Sequence, residues 1–181
     1  MKRIVSFTFL LLVSSALASA QDKPASANPL SDALRDSLIR YTKNITAAAD
    51  ALPADKYSFK PTADQNTFAH LAIHISDSNY LFCSKLSGVT PPDHPKLAES
   101  DGKDKIVAAI RSSFEFCSSS LAKVDDSRLS ESVALFPNRS VSRATVFLAL
   151  AGSWADHYGA EAMYLRLNGV FPPTAQPPKP N

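Results

Sequence analysis

The side chains of this 181-residue chain best suited to chemistry are its four histidines and two cysteines. His70 and His74 lie one helical turn apart in Asn66–Cys83, where Phe68, Leu71, Ile75 and Phe82 recur at helical spacing. Two imidazoles at i and i+4 can hold one divalent ion at about 2.0–2.1 Å each. His157 sits at the same periodicity among Val146, Leu150, Ser153, Ala160 and Tyr164, within the segment Val141 to Gly169. His94 falls in the proline-rich run Pro91-Pro92-Asp93-His94-Pro95 and is expected to be exposed. Nucleophilic chemistry has little support. There is no G-x-S-x-G elbow, and neither cysteine has a histidine partner that the sequence can point to.

Four amphipathic segments must position these side chains. Asn28-Pro29 gives a helix start, with Asn at the cap and Pro at the first helical position. Leu30, Leu34, Leu38, Tyr41, Ile45, Ala48 and Leu52 then predict a first helix over about 29–52, stopped by Pro53. Tyr57 and Phe59 are expected to pack beneath the following connection. A second helix over about 65–87 ends at Ser87-Gly88. A third, over about 102–124, carries Ile106, Ile110, Phe114, Cys117, Leu121 and Val124 in register. Residues 125–139 read as a polar connection with Val133, Leu135 and Phe136 as its apolar cluster. Ser140 is a candidate cap for the fourth helix, and Asn168-Gly169 its stop. With no convincing alternating strand, the fold class is all-α, a four-helix bundle with long connections, at least one of them long enough to cross over.

Lys2 and Arg3 precede an apolar run from Ile4 to Leu17, and Ala18-Ser19-Ala20 obeys the small-x-small cleavage rule. Residues 1–20 therefore read as a signal peptide, which makes the mature protein exported, either periplasmic or secreted. That run is short for a membrane span, so no stable membrane insertion is expected after cleavage. Residues 21–28 read as a flexible tail, 29–173 as the bundle, and 174–181 as a proline-rich disordered tail. A net charge of +2 and the lack of a basic run argue against nucleic acid as a partner.

The ordered set of motifs resembles the DinB/YfiT-like superfamily. The matching residues are Tyr57-Ser-Phe-Lys-Pro61, Phe68 through His74-Ile75 to Phe82, Asp156-His157-Tyr158-Gly159, Tyr164-Leu165-Arg166-Leu167-Asn168-Gly169 and Pro172-Pro173. The resemblance implies a four-helix bundle holding a divalent metal on three histidines, one from the second helix and an H-x-x-x-H pair from the fourth. It places His74 and His157 on two ligand positions and Ser153 on the third. A neutral serine hydroxyl is a poor ligand for a transition metal. Either His70 replaces it, giving His70, His74 and His157 for an ion of the Zn, Ni or Fe class, or the site is degenerate and no cofactor binds. Asp77, Asp156 and Glu161 are then outer acceptors for the histidines or plain solvated charges. Trp154 and Tyr158 read as core more readily than as a pocket lining.

The family suggests a thiol-dependent transferase or isomerase-type enzyme. A binding module for an unidentified small molecule and a stress-related scaffold with no chemistry stand beside it, with a homodimer open in each case and no catalytic residue assigned. Cys83 and Cys117, the two cysteines of an exported chain, are expected to form a disulfide between the second and third helices. Two buried free thiols, or a redox-active pair or thiolate metal ligand, are the alternatives.

Overall fold

A computed structural model describes residues 26–175. The predicted signal peptide and the ends of both predicted tails lie outside those residues. Four helices make up the body: α1 (Pro29–Ala51), α2 (Phe68–Ser87), α3 (Lys103–Leu121) and α4 (Arg143–Leu167). Around the bundle the order is α1, α3, α2, α4, since these neighbours form the main packing pairs. Ser76 bonds to Ala109, Asn79 to Ser113, and Cys83 is bridged to Cys117, so α2 and α3 run parallel. Trp154 bonds to Asn79 and Tyr164 to Asn66, so α4 runs antiparallel to α2. Lys103, which opens α3, donates to carbonyls of Asp50 and Leu52 at the close of α1, making α1 antiparallel to α3. Residues 88–102 accordingly travel the length of the bundle before α3 begins. That is the expected crossover.

The helix limits follow from local chemistry. α2 starts at Phe68 rather than near residue 65, because the Thr67 hydroxyl accepts the amide of His70 at 2.9 Å and fixes the first turn there. It ends where Gly88 turns left-handed, φ 79°, and its amide bonds the Ser84 carbonyl. At α1 the cap differs from expectation. Asn28 occupies the cap position, but its side-chain oxygen accepts the Asp126 amide at 3.1 Å. The free amides of Leu30 and Ser31 bond instead to the Asp126 carboxylate, at 3.0 and 2.8 Å. Ser26 also bonds Asp32, so this end of the predicted tail is anchored.

The polar connection between α3 and α4 contains a β-hairpin that the sequence pattern did not show. β1 (Ser132–Phe136) and β2 (Arg139–Ser142) pair antiparallel, with Val133 opposite Val141 and an irregularity between Ala134 and Phe136. Strands of five and four residues are too short to display alternation, and the irregularity breaks what there is. Asn138, with φ 64°, makes the turn, a conformation that asparagine tolerates. Ser140 lies inside β2, so the α4 cap is Ser142, whose hydroxyl accepts the Thr145 amide at 3.2 Å. At the other end, Thr174 bonds the Tyr158 hydroxyl at 2.8 Å within a turn at Pro173–Ala175, so the predicted disordered tail begins later than residue 174.

The core is one cluster spanning all four helices, with Ile45, Phe68, Ile75, Ile106, Phe114, Leu150, Trp154 and Leu165 wholly enclosed. Tyr57 and Phe59 pack beneath the α1–α2 connection as expected: Tyr57 meets Phe68 edge-on at 5.0 Å, and Phe59 meets Tyr164 at 6.3 Å. Cys83 and Cys117 form the expected disulfide, with Cα atoms 5.3 Å apart and a sequence separation of 34, both wholly buried. Closing a loop of that size stabilises the fold by about 3–4 kcal/mol in the chain-entropy model. Replacing both cysteines by alanine should lower the unfolding free energy by about that amount. Urea denaturation reads the loss, and titration of the unreduced, unfolded wild type should find no free thiol.

Candidate functional site

The four histidines separate into two fates. His74 projects from the second turn of α2 and His157 from the middle of α4, and the antiparallel register brings them together. Their rings meet edge to face, centroids 5.0 Å apart and planes at 85°. Each is oriented by a hydroxyl on its own helix. Ser78 Oγ lies 3.4 Å from His74 Nε2, and Ser153 Oγ lies 3.1 Å from His157 Nδ1. His74 is exposed, while His157 is half-buried. Burial lowers the His157 pKa from its ordinary value, the adjacent His74 lowers it further, and Asp156 opposes the shift. His157 is therefore a neutral imidazole at pH 7.

His70 does not join this pair. Its Nδ1 lies 3.4 Å from the Glu99 carboxylate, which also accepts the Thr67 hydroxyl at 2.6 Å. Glu99, in the turn before α3, thus ties the crossover to the start of α2 and draws His70 sideways. Neither Glu99 nor the hydroxyls of Ser78 and Ser153 stood out in the sequence as partners, because the pairings depend on helix rotation and on where the crossover lands. His94 is exposed as expected, but it is not loose: its ring stacks on Tyr80 at 3.9 Å.

The imidazole pair forms the centre of a cleft of about 480 Å³ between α2 and α4. Asp64, Gln65 and Asn66 make its polar rim, and Leu71, Ala160, Met163 and Tyr164 its apolar wall, with His70 at one side. The Tyr164 hydroxyl donates to the Asn66 carbonyl at 2.6 Å and fixes the rim to α4. Trp154 does not reach this cleft. It is core, as expected, and donates its indole N–H to Asn79 at 2.7 Å. Tyr158 packs on Tyr41 at 6.5 Å.

The three acidic residues near the histidines also divide. Asp77 and Asp156 are solvated, whereas Glu161 is wholly buried with both carboxylate oxygens unpartnered. The reading of Glu161 as a solvated charge or an acceptor for histidine is corrected by that enclosure. The signal was present in the pattern. Glu161 lies seven residues after Trp154 and four before Leu165, on the core stripe of α4.

An up-down-down-up bundle with a histidine-lined cleft between its second and fourth helices is the class that fold and site define. The chain belongs to the DinB superfamily, whose family pattern matches residues 38–160. Among solved structures it is similar to a DinB-like protein from Bacillus subtilis, with 18% identity and a TM-score of 0.61, covering 76% of this chain and 92% of that one. A DinB-like protein from Bacillus cereus is similar at 16% identity and a TM-score of 0.65, covering 78% and 95%. At such identities the likeness carries the fold alone. No curated protein matches the chain.

The three-histidine metal centre that the family resemblance implies does not fit these residues. His70 is turned to Glu99, and Ser153 occupies the remaining ligand position with its hydroxyl spent on His157. Among the described residues no group of three or more His, Cys, Asp or Glu side chains is placed to hold a metal ion. What the site offers is a pair of imidazoles able to donate and accept hydrogen bonds beside an apolar wall.

The unfolded chain takes up a His157 proton more readily than the native one, so this residue's stabilising contribution is full above pH 6.5 and is lost as pH falls through the lower native value. NMR titration of the ring protons should place the His157 midpoint below 6.5. His74→Ala should raise it, by removing the neighbouring charge and admitting water.

Proposed function

We propose that this protein is an exported binding module that holds a small molecule in the α2–α4 cleft, with His74 and His157 as its polar contact and no resident metal. The observation that supports this best is the meeting of two imidazoles from different helices, 5.0 Å apart, within a cleft of about 480 Å³. Such a volume lies within the range of small-molecule pockets, and an apolar wall with a few convergent polar groups is their usual composition. The ligand class that suits it has an apolar body, to lie on Leu71 and Met163, and a hydrogen-bonding head such as a carboxylate or hydroxyl for the imidazoles.

Export is supported by the basic-apolar-small pattern of residues 1–20, and a buried disulfide accords with an oxidising compartment. Intact-mass measurement on periplasmic or secreted material should give a chain beginning at Gln21. Retention of Met1 to Ala20 would refute this part of the proposal.

A second reading is a divalent ion held by His74 and His157, which is favoured by the convergence of the two rings. Metal analysis of protein purified without an affinity tag separates the two. The expected result is well below one equivalent of metal in the wild type, together with shifts of the His74 and His157 ring signals when acetate or benzoate is titrated in. Shifts of the Leu71 and Met163 methyl signals in the same titration should be lost in the His74→Ala, His157→Ala double variant. One equivalent of metal in the wild type, absent from that variant, would establish the second reading instead. Ser153→His should raise Zn²⁺ affinity by about tenfold or more, because a third imidazole restores the missing ligand.

A further inference from the structure

Glu161 is the anomaly of this bundle. Its side chain is 0% exposed, and its two oxygens are the buried side-chain polar atoms that lack a hydrogen bond among the described residues. It sits on the core stripe of α4 between Trp154 and Leu165, both enclosed themselves. A carboxylate with neither a cation nor a donor is among the costliest groups to enclose, and such a group stays neutral by keeping its proton.

The surroundings offer the charged form no relief. Tyr57, from the α1–α2 connection, is close enough to feel its charge. The Tyr57 hydroxyl is committed, however, donating to the Ala49 carbonyl at 2.7 Å. The other ionisable groups acting on Tyr57 are Asp50 of α1 and Asp104 of α3, both acidic; Asp50 is paired with Arg111, and the nearby Lys103 ammonium is spent on the Asp50 and Leu52 carbonyls. On α2 the inward face here is Phe68, Ala69 and Ala72, and its ionisable residues His70 and His74 belong to the cleft. On α4 itself the ionisable residues within one turn are His157, Tyr158 and Tyr164, and each is already paired: His157 Nδ1 with Ser153, the Tyr158 hydroxyl with Thr174, and the Tyr164 hydroxyl with the Asn66 carbonyl. Burial alone raises the Glu161 pKa well above the usual carboxylate range.

The same two turns of α4 that carry Glu161 inward also carry His157, Ala160 and Tyr164 into the cleft wall. We propose that Glu161 is a pH-sensitive latch: protonated, it lets the C-terminal half of α4 seat against the core, and ionised, it unseats that half and the cleft wall with it. The latch rests on the small-molecule reading only for its functional meaning. Its test therefore reads the fold and needs no ligand.

Because the folded chain binds this proton more tightly than the unfolded chain, the contribution is full below the ordinary carboxylate value. It is lost as pH rises toward the native one. Over that window each pH unit should lower Tm by about 3–5 °C in the wild type relative to Glu161→Gln, which keeps the shape of the neutral acid. Comparing the two variants cancels the opposite trend from His157. Trp154 is the chain's one tryptophan, two turns away on the same stripe, and its emission gives a local readout. The expected result is a red shift with rising pH in the wild type that Glu161→Gln lacks. If Glu161→Gln does not fold, Glu161→Leu serves, and it should be both pH-insensitive and more stable at pH 8. Parallel Tm and emission profiles in wild type and variant would overturn the latch. So would a carbon-13 carboxyl titration that gives Glu161 a midpoint in the usual carboxylate range. Loss of fragment binding with these profiles intact would count against the cleft reading alone.

Discussion

Asn79 is the group on which the arrangement of the bundle depends. Its side-chain oxygen accepts the Trp154 indole N–H at 2.7 Å, and its amide nitrogen donates to Ser113 Oγ at 3.0 Å. One residue on α2 thereby fixes the register of α4 on one side and of α3 on the other. All three side chains are buried, so a slip of either helix would strand polar groups at a cost of about 1–3 kcal/mol each. The disulfide one turn further along α2 holds the α2–α3 register covalently. His74 lies five residues before Asn79 and His157 three after Trp154, so the same lock brings the two imidazoles face to edge. The candidate site is a consequence of this core hydrogen bond.

The ends of the helices are satisfied from a distance. Asp126, in the turn after α3, caps α1, which begins nearly a hundred residues earlier in the chain. Arg143, at the start of α4, reaches the Leu86 carbonyl at the end of α2 while pairing with Glu131 at 3.2 Å. Lys103 does the same for the last carbonyls of α1. Positive groups at helix C-termini and a carboxylate at an N-terminus each also complement the helix dipole. The connections are therefore structural parts of the bundle, and the β-hairpin is the frame that aims Arg143 and Glu131.

Ser153 and Glu161 flank the same imidazole on α4, one turn before it and one turn after. Ser153 places a hydroxyl 3.1 Å from His157 Nδ1 and orients the ring from behind. Glu161 puts an ionisable group on the core stripe, a position that otherwise favours an apolar side chain.

The sequence by itself determined the four helices, their inward faces and most of their ends, because helical periodicity, proline and glycine act within a few residues. It also determined the disulfide partners and the placement of His74 and His157 on facing helices. Tertiary structure decided what depends on contacts between distant segments. Asn28 stands at a cap position, yet Asp126 does the capping. His70 shares a helix face with His74, yet Glu99, arriving on the crossover, turns it away. The hairpin strands carry too few residues to show a period, and they form because their backbone groups find one another across a turn. Glu161 reads in isolation as a surface charge. Its spacing from Trp154 and Leu165 puts it on the core stripe, and the packing of α4 against the core outweighs the preference of that side chain for water.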